Sequence, residues 1–133
     1  MSKSDHRHWK TGGMRRLINA GRHQLDGVIH GLRHDAAIRQ VSMAAFGLCM
    51  LALLVPVSKL ERLLLILPVL LVVLVEYLNS AIEAVVDRIS TERHPLSKVA
   101  KDYASVAVAI AVMMSLLTWI VILGPLALSM LGK

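Results

Sequence analysis

Cys49 is the only cysteine among the 133 residues, so no intrachain disulfide is available and the thiol reads as a packing residue. Internal repeats and low-complexity tracts are absent. No Walker A, G-x-G-x-x-G or G-x-S-x-G pattern occurs, so any nucleotide is handled without a known phosphate loop. The first 40 residues are polar and basic, without an apolar core, and no signal peptide is expected there. The most telling scarcity is of charge over long stretches. Val41 to Val57, Leu63 to Val75 and Tyr103 to Leu131 carry none. The net charge of +6 could point to nucleic acid, but this placement argues against it.

What is present is apolar. Hydrophobic residues make up 56% of the chain and the mean hydropathy is +0.62, high for a soluble protein. A bilayer core needs about 20 apolar helical residues. The expected fold is therefore one all-α membrane domain over residues 14–133, after a disordered basic stretch at 1–13. Three transmembrane helices are expected at about 37–57, 63–86 and 103–128. Before them, Ile18, Gly21, Leu25, Val28, Ile29 and Leu32 recur at helical spacing, with Arg15, Arg22, Asp26 and Arg33 opposite. This predicts an amphipathic surface helix over 14–34 lying on anionic lipid.

Lys and Arg set the orientation. Residues 1–40 hold eight and Asp87–Asp102 hold four, against two in Ser58–Arg62. The N-terminus and second loop are expected in the cytoplasm. Small residues four apart, such as Ala100/Ala104 and Ser80/Ala84, permit close helix approach.

The second apolar run continues into Glu76-Tyr77-Leu78-Asn79-Ser80-Ala81-Ile82-Glu83-Ala84-Val85-Val86-Asp87. On a helix, Glu76, Asn79, Glu83 and Asp87 fall at about 0°, 300°, 340° and 20°. An acid at the centre of a bilayer helix costs about 2.5–3.5 kcal/mol on insertion scales, so this stripe calls for a role. It can hold Mg²⁺ through oxygen ligands, relay protons in a transporter, or hydrogen-bond between helices. Lys101-Asp102 precedes the third span and returns near the stripe's cytoplasmic end, where a lysine can neutralise phosphate or merely set topology. Six histidines are present; His30 and His34 stand at i, i+4, a metal-compatible spacing with no clear set of four ligands.

The run Glu76 to Arg88, with its pattern E-x-L-N-(S/T)-A-I-E-x-x-x-D, closely resembles the prokaryotic diacylglycerol kinase family. The resemblance continues through Glu92, His94 and Leu96-Ser97 to Ala100-Lys101-Asp102. It also takes in Arg16, Ala20 and Ala36-Ala37-x-Arg39-Gln40, and so covers roughly residues 14–123. It implies an integral-membrane homotrimer that transfers the γ-phosphate of MgATP to diacylglycerol in the bacterial inner membrane, without nucleic-acid partners. On this resemblance Glu76 is the general base, Asn79 a positioning residue beside it, and Glu83 and Asp35 the metal ligands. Arg16, His23, Asp87, Glu92, Arg93, His94, Lys101 and Asp102 contact nucleotide. Arg16, Ala20, Arg39, Gln40, Glu76 and Ser105 contact lipid. Three positions depart from the family pattern: Asp35 for Glu, His23 for Tyr, and Val41 where some members have Glu. Undecaprenol as the acceptor, a small proton-coupled transporter, and a structural or assembly membrane protein are the competing readings.

Overall fold

A computed structural model describes residues 13–89 and 94–132. Four helices follow one another: α1 (Gly13–His34), α2 (Ala36–Leu54), α3 (Lys59–Ile89) and α4 (Pro95–Leu131). The last three are long and apolar enough to cross a membrane. The helices depart from the expected spans mainly at their ends. The second and third run on at the stripe end, so Asp87 and Lys101 both lie within helices rather than in a loop. The first span stops at Leu54, because Pro56 disfavours helical backbone at Val55, which is extended. The disorder expected at 1–13 falls outside the described residues, except that Gly13 opens α1.

Each junction has a chemical cause. Asp35 caps α2, its Oδ1 accepting the backbone N–H groups of Ala37 at 2.8 Å and Ile38 at 3.1 Å. Ser58 and Glu61 form a reciprocal capping box at the start of α3 (2.8 and 3.2 Å). His94 caps α4 by accepting the Leu96 N–H on Nδ1 at 3.2 Å, followed by Pro95 at the first helical position.

α3 is central, with α2 and α4 against it. Small residues are buried on both flanking helices, Ala45 and Ala52 of α2 and Ala104 and Ala111 of α4, as are Leu65 and Val69 of α3. Trp119 of α4 donates its indole N–H to the Leu65 carbonyl of α3 at 3.0 Å. Most large apolar side chains point outward, including Phe46, Leu54, Leu78, Leu117 and Ile120, as a lipid-facing surface requires.

At the end of the bundle far from the stripe, Arg62 of α3 donates to the terminal carbonyls of α2, Ala52 at 3.1 Å and Val55 at 3.3 Å. Helix-end carbonyls such as that of Ala52 lack an intrahelical donor, while that of Val55 also accepts the Val57 N–H at 3.0 Å. Arg62→Met keeps the aliphatic stem and removes both charged bonds. It is expected to cost about 1–2 kcal/mol, read as a lower thermal midpoint in detergent; an unchanged midpoint would remove this role.

α1 is seated through Gly31, which is buried. A Cβ there would lie 3.0–3.1 Å from Ile38 side-chain carbons and 3.1 Å from Cε1 of Tyr77. The absence of a side chain thus brings the last turn of α1 against both α2 and the stripe segment of α3.

Candidate functional site

Glu76 lies 17 residues into α3, about 26 Å from its start at 1.5 Å per residue. That is close to the end of a hydrocarbon core about 30 Å thick. It is 6% exposed although acidic, and its polar neighbours are Asn79, Asp35 and Glu83. Asn79 and Glu83 come from the same helix face, as the 3.6-residue period dictates. Asp35 comes from 41 positions earlier, and only the chain fold could bring it here.

The contact that brings it is a hydrogen bond from the Ser80 hydroxyl to Oδ2 of Asp35 at 2.7 Å. In the sequence Ser80 is only a small residue paired with Ala84; no spacing signal ties it to Asp35. With one oxygen on two amides and the other on Ser80, the Asp35 carboxyl is held below the usual carboxylate range, Ser80 being the largest cause and the Ile38 amide the next. The sign follows: this contribution to stability is present above the ordinary carboxylate pKa and is lost as pH falls through the lowered folded value.

Among the described residues, one buried side-chain polar atom has no partner: Oδ1 of Asn79. An orphan acceptor in an apolar setting costs about 1–3 kcal/mol. It lies beside Glu76 and would be satisfied by a hydroxyl, a water or a cation.

The far end of the stripe is an ion pair. Lys101 Nζ of α4 lies 2.6 Å from Oδ1 of Asp87. Asp102 is engaged one turn back by Lys98, also at 2.6 Å. The ammonium of Lys101 has three donors, so holding Asp87 leaves two for another anion. Asp87 stands 11 residues beyond Glu76, about 16 Å along the helix. The polar track therefore runs from a buried acid to a half-exposed lysine.

Of the remaining expected residues, Arg39 stands near enough to Asp35 for its charge to help hold that carboxyl down. Arg16, Ala20 and His23 are exposed on α1. Arg16 is 15 residues from the Gly31 contact, about 22 Å by helical rise. Arg39 and Gln40 are exposed on α2 and Ser105 on α4. His94 is engaged through Nδ1 as a helix cap. Glu92 and Arg93 lie outside the described residues.

Below Glu76 the stripe face turns apolar. Val72 and Val69, four and seven residues earlier, sit within about 40° of Glu76 on α3. They floor a cavity of about 220 Å³ walled by Val41, Ala45 and Leu48 of α2 and by Val112, Ser115 and Leu116 of α4.

The donors fit a hard divalent cation. No group of three or more His, Cys, Asp or Glu side chains forms a metal cage among the described residues. Mg²⁺ needs none: it binds through one or two carboxylates and keeps waters and substrate phosphates as its other ligands. Glu83, and the remaining lone pair of Asp35 Oδ2, are of that kind, with the orphan Asn79 oxygen close by.

Residues 22–123 match the family model described as prokaryotic diacylglycerol kinase. The chain is 47% identical to a diacylglycerol kinase of Pseudomonas aeruginosa over 111 residues, covering 84% of this chain and 90% of that one. It is 43% identical to a diacylglycerol kinase of Escherichia coli over 113 residues, covering 85% and 93%. It is 42% identical to one of Haemophilus influenzae over 111 residues, covering 84% and 94%.

Proposed function

The chain belongs to the prokaryotic diacylglycerol kinase family, and from that premise we propose how its own residues carry out the reaction. It is an integral-membrane lipid kinase that uses ATP and phosphorylates diacylglycerol. The product is phosphatidic acid. The undecaprenol and transporter readings are not favoured by relatives that carry the diacylglycerol kinase name.

The observation that carries the assignment of roles is the buried Glu76 carboxylate, one helical turn along α3 from Val72 of the apolar cavity. A diacylglycerol whose tail enters between α2 and α4 places its hydroxyl at the level of Glu76. Glu76 accepts the hydroxyl proton as the oxygen attacks the γ-phosphorus. Asn79 Oδ1 accepts a hydrogen bond from the incoming group and fixes its approach. Lys101, held near Asp87, neutralises phosphate charge, and Asp102 and His94 border the nucleotide. Glu92 and Arg93 complete that border. Arg16 and His23 reach nucleotide, and Ala20, Arg39, Gln40 and Ser105 line the lipid path.

Glu83 and Asp35 would hold Mg²⁺, which when bound neutralises the phosphates during transfer. Asp35 is one methylene shorter than glutamate, and the Ser80 bond and the α2 cap fix it in place despite that shorter reach. α1 lies on the cytoplasmic surface of the bacterial inner membrane, its apolar side chains in lipid. Three chains assemble, and sites are completed between neighbours.

The direct test is purified protein with radiolabelled MgATP and a panel of lipid alcohols. Labelled phosphatidic acid is expected; label only in undecaprenyl phosphate would overturn the acceptor. The metal assignment has its own test. Glu83→Gln and Asp35→Asn are each expected to raise the Mg²⁺ concentration for half-maximal activity about 10–100-fold, the usual cost of disturbing a metal site. Unchanged Mg²⁺ titrations in both variants would exclude these ligands. Asp35→Glu is expected to be neutral or mildly activating.

A further inference from the structure

His30 and His34 take no part in the kinase site described above. They stand one turn apart near the end of α1, both exposed, with ring centroids 4.7 Å apart and planes tilted by 38°. Their placement on the helix is specific. Taking His23 as zero, His30 and His34 lie at about 340° and 20°, whereas Leu25 and Leu32 lie at about 200° and 180°. The pair therefore projects from the side of α1 opposite its apolar stripe, towards water rather than lipid.

The separation of the rings matches what chelation needs. An imidazole nitrogen binds a divalent ion at about 2.0–2.1 Å, which puts the ion about 3.2 Å from the ring centroid. For nitrogen–metal–nitrogen angles of about 90–110°, two such rings have centroids about 4.5–5.2 Å apart. The observed 4.7 Å lies in that window. A second feature favours a cation here. His34 stands in the last turn of α1 and His30 one turn before it, where the helix dipole presents its negative end and offsets the Arg33 charge in that turn.

We propose that His30 and His34 form a two-imidazole site for a divalent transition-metal ion on the water-facing side of α1, separate from the oxygen ligands at Glu83 and Asp35. The chemistry sorts the ions: imidazole nitrogen favours Cu²⁺, Ni²⁺ and Zn²⁺, and carboxylate oxygen favours Mg²⁺. No third His, Cys, Asp or Glu joins the pair among the described residues, so water fills the other positions. Bridging residues 30 and 34 fixes the turn that contains Gly31. That turn packs on Ile38 and Tyr77 and leads directly into the Asp35 cap. An ion bound here stiffens the seat of α1 on the bundle.

The experiment uses the full chain without a polyhistidine tag, in detergent micelles. Zn²⁺ is titrated by calorimetry into wild type, His30→Ala, His34→Ala and the double variant. His6 and His8 contribute the same background to all four. Wild type is expected to bind one more equivalent than the double variant. Each single variant is expected to hold that ion at least about tenfold more weakly, since the second imidazole acts at the high effective concentration of a tethered ligand. Electron paramagnetic resonance with one equivalent of Cu²⁺ is expected to show two coordinating nitrogens in wild type and fewer in each single variant. Equal binding by wild type and double variant, or loss in only one single variant, would overturn the site. A measurement on wild type alone guards against a misfolded variant: bound Zn²⁺ should slow diethyl pyrocarbonate modification of both histidines, mapped by mass spectrometry. Unslowed modification of both would equally overturn it.

Discussion

Glu76→Gln is expected to reduce lipid phosphorylation by about 10²–10⁴-fold, the range lost with a general base. The amide is nearly isosteric and cannot take up the hydroxyl proton. Its effect on folding should be small, because the Gln carbonyl can go on accepting the hydrogen bond that the Asn79 side-chain amide donates to buried Glu76. ATP binding and the thermal midpoint are therefore expected to stay near wild type. Turnover within about twofold of wild type would eliminate Glu76 as the base. A collapse of folding with the activity would reassign it to structure.

The second large effect is a gain. Glu76→Gln and Lys101→Ala are each expected to be nearly inactive alone. When the two are mixed in detergent and reassembled, activity is expected to return to a sizeable fraction of wild type. Two features of the single chain motivate this. The Lys101 end of the polar track is about 16 Å along α3 from Glu76, and Arg16 stands about 22 Å along α1 from the Gly31 contact. Shielding is not the motive, since Glu76 is already buried by its own chain. If crosslinking confirms mixed trimers and no activity returns, Glu76 and Lys101 act within one protomer. A fully active monomer by sedimentation would dismiss the shared site altogether.

Periodicity and composition reached far into this protein. Charge-free runs set three spans because each backbone amide in lipid must bond within its own helix, and that requirement is local. The same locality made Glu76, Asn79, Glu83 and Asp87 legible as one face, since a helix converts spacing into angle without help from the rest of the fold. Helix ends were less legible. Asp87 and Lys101 were read as flanking a loop, yet both lie in helices that continue past the apolar run, because hydropathy marks where lipid ends and not where the hydrogen-bond ladder ends. What only the tertiary structure decided is whatever crosses between helices. The Asp35–Ser80 bond, the Arg62 seal on α2, the Trp119 bond to α3 and the close seat of Gly31 on Tyr77 join residues with no periodic relation. Their pairing depends on how α2, α3 and α4 dock, and docking is set by side-chain shape summed over many contacts, which no single stretch of sequence displays.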